Sequence, residues 1–236
     1  MENLNTIREK WMPILEKAFY SNDPRAWDFR HEPNFDNFCS FETLIYELGG
    51  AFELYAGETK GVLCCEDLGV VFKFPFFDRG MDFCRAELRN YRAAEEAGLA
   101  NRFAWCDKFC TFPTSDGYYT VYIMEYAKCD DDCTVSRMIE TFEANHPMKG
   151  ERDNDWSTMR SEVGSGSCEG VAYFLEDEWM DYDEFDSFCQ LNDIDDIHSA
   201  NLGIIDERLV VIDYSGYAML LYDSDRPADW FSRYGV

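Results

Sequence analysis

The chain has 236 residues, 46% of them hydrophobic and 17% aromatic, which is enough apolar material for a packed core and too much for a disordered polypeptide. Its 47 acidic against 21 basic residues give a formal charge of −26, a field that repels phosphate backbones and anionic membrane surfaces. Direct nucleic-acid binding and membrane association are therefore not expected; a protein that engages a basic partner by imitating nucleic acid is compatible with this charge.

No run reaches the ~20 apolar residues that a membrane-spanning helix needs, and Met1-Glu2-Asn3-Leu4 lacks the basic opening of a secretory signal, so a cytoplasmic protein is expected. The 10 cysteines lie mostly in apolar settings such as Leu63-Cys64-Cys65 and are expected to be reduced core thiols.

In chain order, Leu4, Ile7, Trp11, Ile14, Leu15, Ala18 and Phe19 recur at helical spacing, with Pro13 as a possible break. A second helix is predicted over Phe41–Leu48, stopped by Gly49-Gly50. Three strand-like runs follow at Ala51–Tyr55, Lys60–Cys65 and Val70–Phe74, and the turn signals between them predict an antiparallel meander. Met81–Ala97 reads as a helix ended by Gly98, and two more strands are predicted at Phe109–Phe112 and Tyr118–Tyr126. Beyond Ala127 the texture turns polar, which sets a boundary there. Helical segments at Val135–Ala144 and Val171–Trp179 flank a long Gly- and Ser-rich loop over His146–Gly170. A further helix ends near Leu191, and a short hairpin joins Ile204–Ile205 to Val210–Ile212.

The segment that carries chemistry is Asp193-Ile194-Asp195-Asp196-Ile197-His198-Ser199-Ala200-Asn201, followed after the hairpin by Asp213-Tyr214-Ser215-Gly216. Two carboxylates and an amide around one point suit phosphoryl transfer. Asp196 would orient or deprotonate an attacking hydroxyl, and the oxygens of Asn201 and Asp213 would hold Mg²⁺.

In this Asp-x-His-x-x-Asn form the chain resembles the protein-kinase-like superfamily, most closely in motif the aminoglycoside and choline kinases and small microbial or phage kinases. The resemblance implies an α+β, bilobal fold with an antiparallel-sheet N-lobe and a truncated, mainly helical C-lobe. By it, residues 1–50 form an N-terminal helical extension, 51–127 the N-lobe and hinge, and 128–236 a minimal C-lobe. It implies that Lys73, in Val70-Val71-Phe72-Lys73-Phe74, holds the α- and β-phosphates of ATP and that Glu87 pairs with it. Met124 stands where the gatekeeper would be, with backbone groups of Glu125 and Ala127 on adenine. Gly57, Thr59 and Lys60 occupy the phosphate-covering turn, and His198 either touches a phosphate or orders its loop. The acceptor implied is a hydroxyl on a protein or a small molecule, with ATP and Mg²⁺ as cofactors.

The chain departs from the family pattern at several points. The glycine loop is reduced to Gly57 and Gly61, which shifts phosphate positioning towards the backbone around Thr59 and towards Lys60. Asp195 replaces the arginine that clamps a phosphorylated activation loop in many protein kinases. Tyr214 and Ser215 replace the usual Phe and Gly after the metal-binding aspartate, and little chain follows Gly216 to support peptide docking. These departures leave open a pseudokinase or an acidic binding module with a basic protein partner.

Two features stand outside this scheme. Cys106-x-x-x-Cys110 and Cys129-x-x-x-Cys133 have zinc-like spacing, although Cys110 alternates with its aromatic neighbours as a core strand residue does. The stretch Glu176–Asp186 is acidic and aromatic, and reads either as helices with carboxylates outside or as an anionic docking face.

Overall fold

The computed structural model describes residues 4–20, 53–56, 59–75, 77–114, 117–129, 134–145 and 168–216. The predicted helix over Phe41–Leu48, residues 146–167 of the predicted loop, Gly57 and the residues after Gly216 lie outside them. The fold is α+β. In chain order it has α1 (Leu4–Tyr20), β1 (Glu53–Ala56), β2 (Lys60–Cys65), β3 (Val70–Pro75), α2 (Phe77–Ala97), β4 (Cys106–Thr114) and β5 (Gly117–Glu125). Then come α3 (Thr134–Asn145), α4 (Cys168–Glu178), α5 (Tyr182–Leu191), β6 (Leu202–Ile205) and β7 (Arg208–Val211). Among the described residues, no helix is long and apolar enough to cross a membrane.

The chain divides into two compact units, one of residues 1–91 and 105–126, the other of residues 92–104 and 127–236. The first is built on a five-stranded antiparallel sheet in the order β1-β2-β3-β5-β4. The meander arises because Gly69 adopts φ 66° after the turn Glu66–Leu68, a left-handed conformation that suits glycine, and this sets Cys65 opposite Val70. Every residue of β3 is buried. Val70, Phe72 and Phe74 join Leu63, Val121 and Ile123 in a core that also takes in Ile7, Trp11 and Leu15 from α1. Trp11 stacks on Phe72 with ring centroids 5.1 Å apart, and Phe109 meets Phe72 edge-on. A fully buried Phe of this kind contributes roughly 1.5–3 kcal/mol.

Helix α2 buries Phe83, Cys84, Glu87, Leu88, Asn90, Tyr91 and Ala94, the i, i+3, i+4, i+7 face. It ends at Gly98, φ 77°, as the sequence predicts.

In the second unit, Phe103 makes a parallel bridge to Val211 and Ala104 N–H donates to the Val211 carbonyl at 2.9 Å. Phe103 contacts the rings of Phe185, Phe188 and Tyr214, while Trp179 packs edge-on against Phe185. The guanidinium of Arg102 lies over Trp179, 4.6 Å from the ring centroid, and donates to the Asp181 carboxylate.

Strands β6 and β7 are joined by the two-residue turn Asp206-Glu207, with φ 47° and 65°. Both values call for the residues that tolerate left-handed backbone, and glutamate is not one of them. Glu207→Gly is therefore expected to raise stability by about 1 kcal/mol, read from a urea unfolding midpoint; an unchanged or lower midpoint would contradict the turn assignment.

Candidate functional site

The first cluster lies in the sheet unit. Lys73 sits mid-strand in the fully buried β3 and is itself only 4% exposed. A lysine cannot stay charged in such a place without a partner. Its Nζ donates to Glu87 Oε2 at 2.8 Å, and Glu87, on the inward face of α2, is 2% exposed. Lys60 Nζ donates to the other oxygen, Oε1, at 2.5 Å. The pairing of Val62 with Lys73 puts Lys60, two residues before Val62, on the same face of the sheet. Tyr122, opposite Lys73 on β5, shares that face. Burial, with Cys84 adding to it, pushes the Tyr122 phenol well above its usual range against the pull of Arg85, so the hydroxyl stays neutral.

Thr59 is buried beside Lys60. Met124 is buried on β5 opposite Val71. Glu125 N–H donates to the Trp105 carbonyl at 2.8 Å, and one Glu125 carboxylate oxygen accepts from Trp105 N–H. The Ala127 carbonyl accepts from the Cys129 thiol at 3.3 Å.

The second cluster lies in the other unit and is organised around Asn201. Its Nδ2 donates to the Asp196 carbonyl at 2.7 Å, which closes the loop between them; the amide oxygen, an acceptor, is the end of the side chain that could face a cation. Its own carbonyl accepts from Ile212 N–H at 2.9 Å, which brings the segment after β7 that carries Asp213 alongside. Ser215 Oγ donates to Asp213 Oδ1 at 3.0 Å and so steadies the carboxylate. Tyr214 is fully buried and donates to the Ala104 carbonyl at 2.7 Å. The departures from Phe and Gly at these positions thus add hydrogen bonds. Gly216, at φ 88°, fits where a Cβ would come within 2.0 Å of the Asp193 carbonyl oxygen, so this segment can lie against the loop only because it has no side chain.

His198 Nδ1 accepts from Ala200 N–H, which assigns the proton of a neutral ring to Nε2. That nitrogen lies 3.9 Å from Asp196 Oδ1, too far for a hydrogen bond. His198 thus contacts its own loop through Nδ1, and both of its expected roles, ordering the loop and touching a phosphate, are compatible with this placement.

No family model, curated protein or solved structure matches this chain.

Cys106 lies opposite Met124 and Cys110 opposite Val121, with a register shift between Lys108 and Cys110. Cys110 belongs to the core under α1, whereas Met124 shares the face of Lys73, so the two thiols of this pair point to opposite sides of the sheet. Burial pushes the Cys110 thiol up to about 12, with the Val121 backbone and Arg8 opposing. Among the described residues, no group of three or more His, Cys, Asp or Glu side chains is gathered as zinc requires; Cys133 lies outside those residues. In the acidic stretch, Trp179 and Phe185 are buried while Glu176, Asp177, Glu178, Asp183 and Glu184 are exposed, the amphipathic arrangement that both readings of this stretch require.

A cavity of about 370 Å³ lies in the second unit against the same loop, with Leu175, Phe185 and Ile194 on its apolar side and Asp186, Asp193 and Asp195 among its carboxylates. Asp195 and Ile197 line it and Asp196 does not.

Sequence reasoning missed that Lys60 shares Glu87. The signal was present. The turn at Glu66–Gly69 fixes the β2–β3 register, and the register puts Lys60 and Lys73 on one face.

Proposed function

We propose that the protein is an ATP- and Mg²⁺-dependent phosphotransferase of bilobal, protein-kinase-like architecture. The observation that carries this reading is the buried Lys73–Glu87 pair at 2.8 Å, joining a lysine in the middle of an apolar strand to the helix that follows it. Exchange of such a pair for apolar residues often costs little stability, so its presence in a core points to a use for the charge.

In this reading Lys73 meets the α- and β-phosphates, the backbone around Thr59 and Gly57 covers them, and Met124, Glu125 and Ala127 seat adenine. The oxygen ends of Asn201 and Asp213 form a hard donor set that fits Mg²⁺. When bound, the ion neutralises charge on the triphosphate. Asp196 aligns the acceptor hydroxyl and accepts its proton as the γ-phosphoryl group transfers to the acceptor oxygen and ADP leaves. His198 and the Asn201 amide keep that loop in one conformation.

The test is Asp213→Asn, nearly isosteric but without the negative charge. The Mg²⁺-dependent part of ATP affinity is expected to disappear, while the circular dichroism spectrum and the affinity for ATP without Mg²⁺ stay the same. A folded variant whose ATP affinity still rises on adding Mg²⁺ would remove Asp213 from the site. If the wild-type chain binds Mg-ATP yet transfers phosphate to no acceptor, the pseudokinase reading is the correct one.

A further inference from the structure

Glu87 has two lysine partners where the proposed chemistry needs one. Its Oε1 accepts from Lys60 at 2.5 Å and its Oε2 from Lys73 at 2.8 Å, all three side chains are buried, and the lysines come from adjacent strands. A second contact ties the same helix to the same end of β2. A Cβ on Gly80, in the first turn of α2, would stand 2.1 Å from the Thr59 carbonyl oxygen, so the helix approaches the Thr59-Lys60 backbone as closely as a bare glycine allows.

We propose that Lys60 is a positioning residue that holds Glu87 and α2 in place, so that Lys73 can turn to an anionic phosphate chain without leaving a buried carboxylate unpaired; the proposal rests on the phosphotransferase reading. With a single lysine, phosphate and Glu87 compete for one ammonium group, and the loss of the ion pair opposes binding. With Lys60 on Oε1, Glu87 keeps a charged partner whichever way Lys73 points. The helix is therefore docked before nucleotide arrives, and phosphate binding does not have to draw it in.

The experiment is a calorimetric titration of tripolyphosphate and of Mg-ATP into the full chain, wild type and the variants Lys60→Met, Lys60→Arg and Lys73→Met. Lys60→Met is expected to weaken both ligands about tenfold, one protonation-unit's worth of interaction, and Lys60→Arg to restore most of the loss. Methionine already supplies an uncharged stem of similar length, so a loss in Lys60→Met that Lys60→Arg restores reports the charge and not the filling of space.

Wild-type binding that Lys60→Met leaves unchanged would overturn the role of Lys60 while the nucleotide reading stands. Tripolyphosphate binding that depends on Lys60, with no gain from the adenosine moiety, would uphold the positioning role and overturn the nucleotide reading. Failure of the wild type to bind either ligand would overturn both. Should Lys60→Met not fold, amide exchange in Lys73→Met decides the matter. Protection across Cys84–Tyr91 is expected to match wild type because Lys60 still holds Glu87, and faster exchange there would contradict the proposal.

Discussion

Glu87→Ala is expected to destabilise the sheet unit by about 3–5 kcal/mol, because it removes the carboxylate that two buried ammonium groups share and leaves both facing each other in the interior. This loss exceeds what the removed side-chain volume would cost at an ordinary helix position, since the dominant penalty is uncompensated charge. Urea denaturation of the purified variant measures it. A loss below about 1 kcal/mol would mean that solvent reaches the lysines and that the three side chains are not buried together. The companion variant replaces all three together, Lys60→Met, Lys73→Met and Glu87→Leu. It is expected to fold with stability near wild type while losing affinity for phosphate chains, which would separate the functional use of the charges from any structural one.

Asp196→Asn is expected to lower phosphoryl transfer by roughly 10²–10⁴-fold with little change in Mg-ATP affinity, as removal of a general base does. The amide keeps the shape of the side chain. The loop is held through the backbone carbonyl of Asp196, which accepts from Asn201, so its geometry survives the substitution. Transfer to water, followed by release of inorganic phosphate, gives the readout while the acceptor is unknown. Asn201→Ala provides the contrast, since it removes both the loop closure and the oxygen proposed to hold Mg²⁺, and is expected to reduce Mg-ATP affinity as well. Equal turnover in wild type and Asp196→Asn would exclude Asp196 as the base.

Much of the sheet unit was legible in the sequence because its turn chemistry and alternation agree with its tertiary contacts. The β2–β3 register follows from one glycine turn. Where local signals conflicted with packing, the structure followed the packing. Pro13 suggested a break, yet α1 runs unbroken from Leu4 to Tyr20, with Ile7 and Trp11 before the proline and Leu15 after it anchored on the sheet. Helix α2 starts at Phe77, four residues before the expected Met81 (81 − 77 = 4), and so takes in Gly80 at its close approach to Thr59. Strand β4 starts at Cys106 rather than Phe109, and the register shift between Lys108 and Cys110 scrambled the alternation that would have revealed it. In the candidate site, Asp196, Asn201 and Asp213 were visible as a spacing. The hydrogen bonds that join them, from Asn201 to the Asp196 carbonyl and from Ile212 to the Asn201 carbonyl, involve backbone groups that no residue type announces.

The most direct measurement is a titration of ATP into the wild-type chain in the presence and absence of Mg²⁺. The assignment of Lys73, Glu87, Asn201 and Asp213 predicts saturable one-to-one binding of Mg-ATP that weakens sharply when EDTA removes the metal and disappears in Lys73→Met. A folded wild-type chain that shows no saturable binding of Mg-ATP would contradict it.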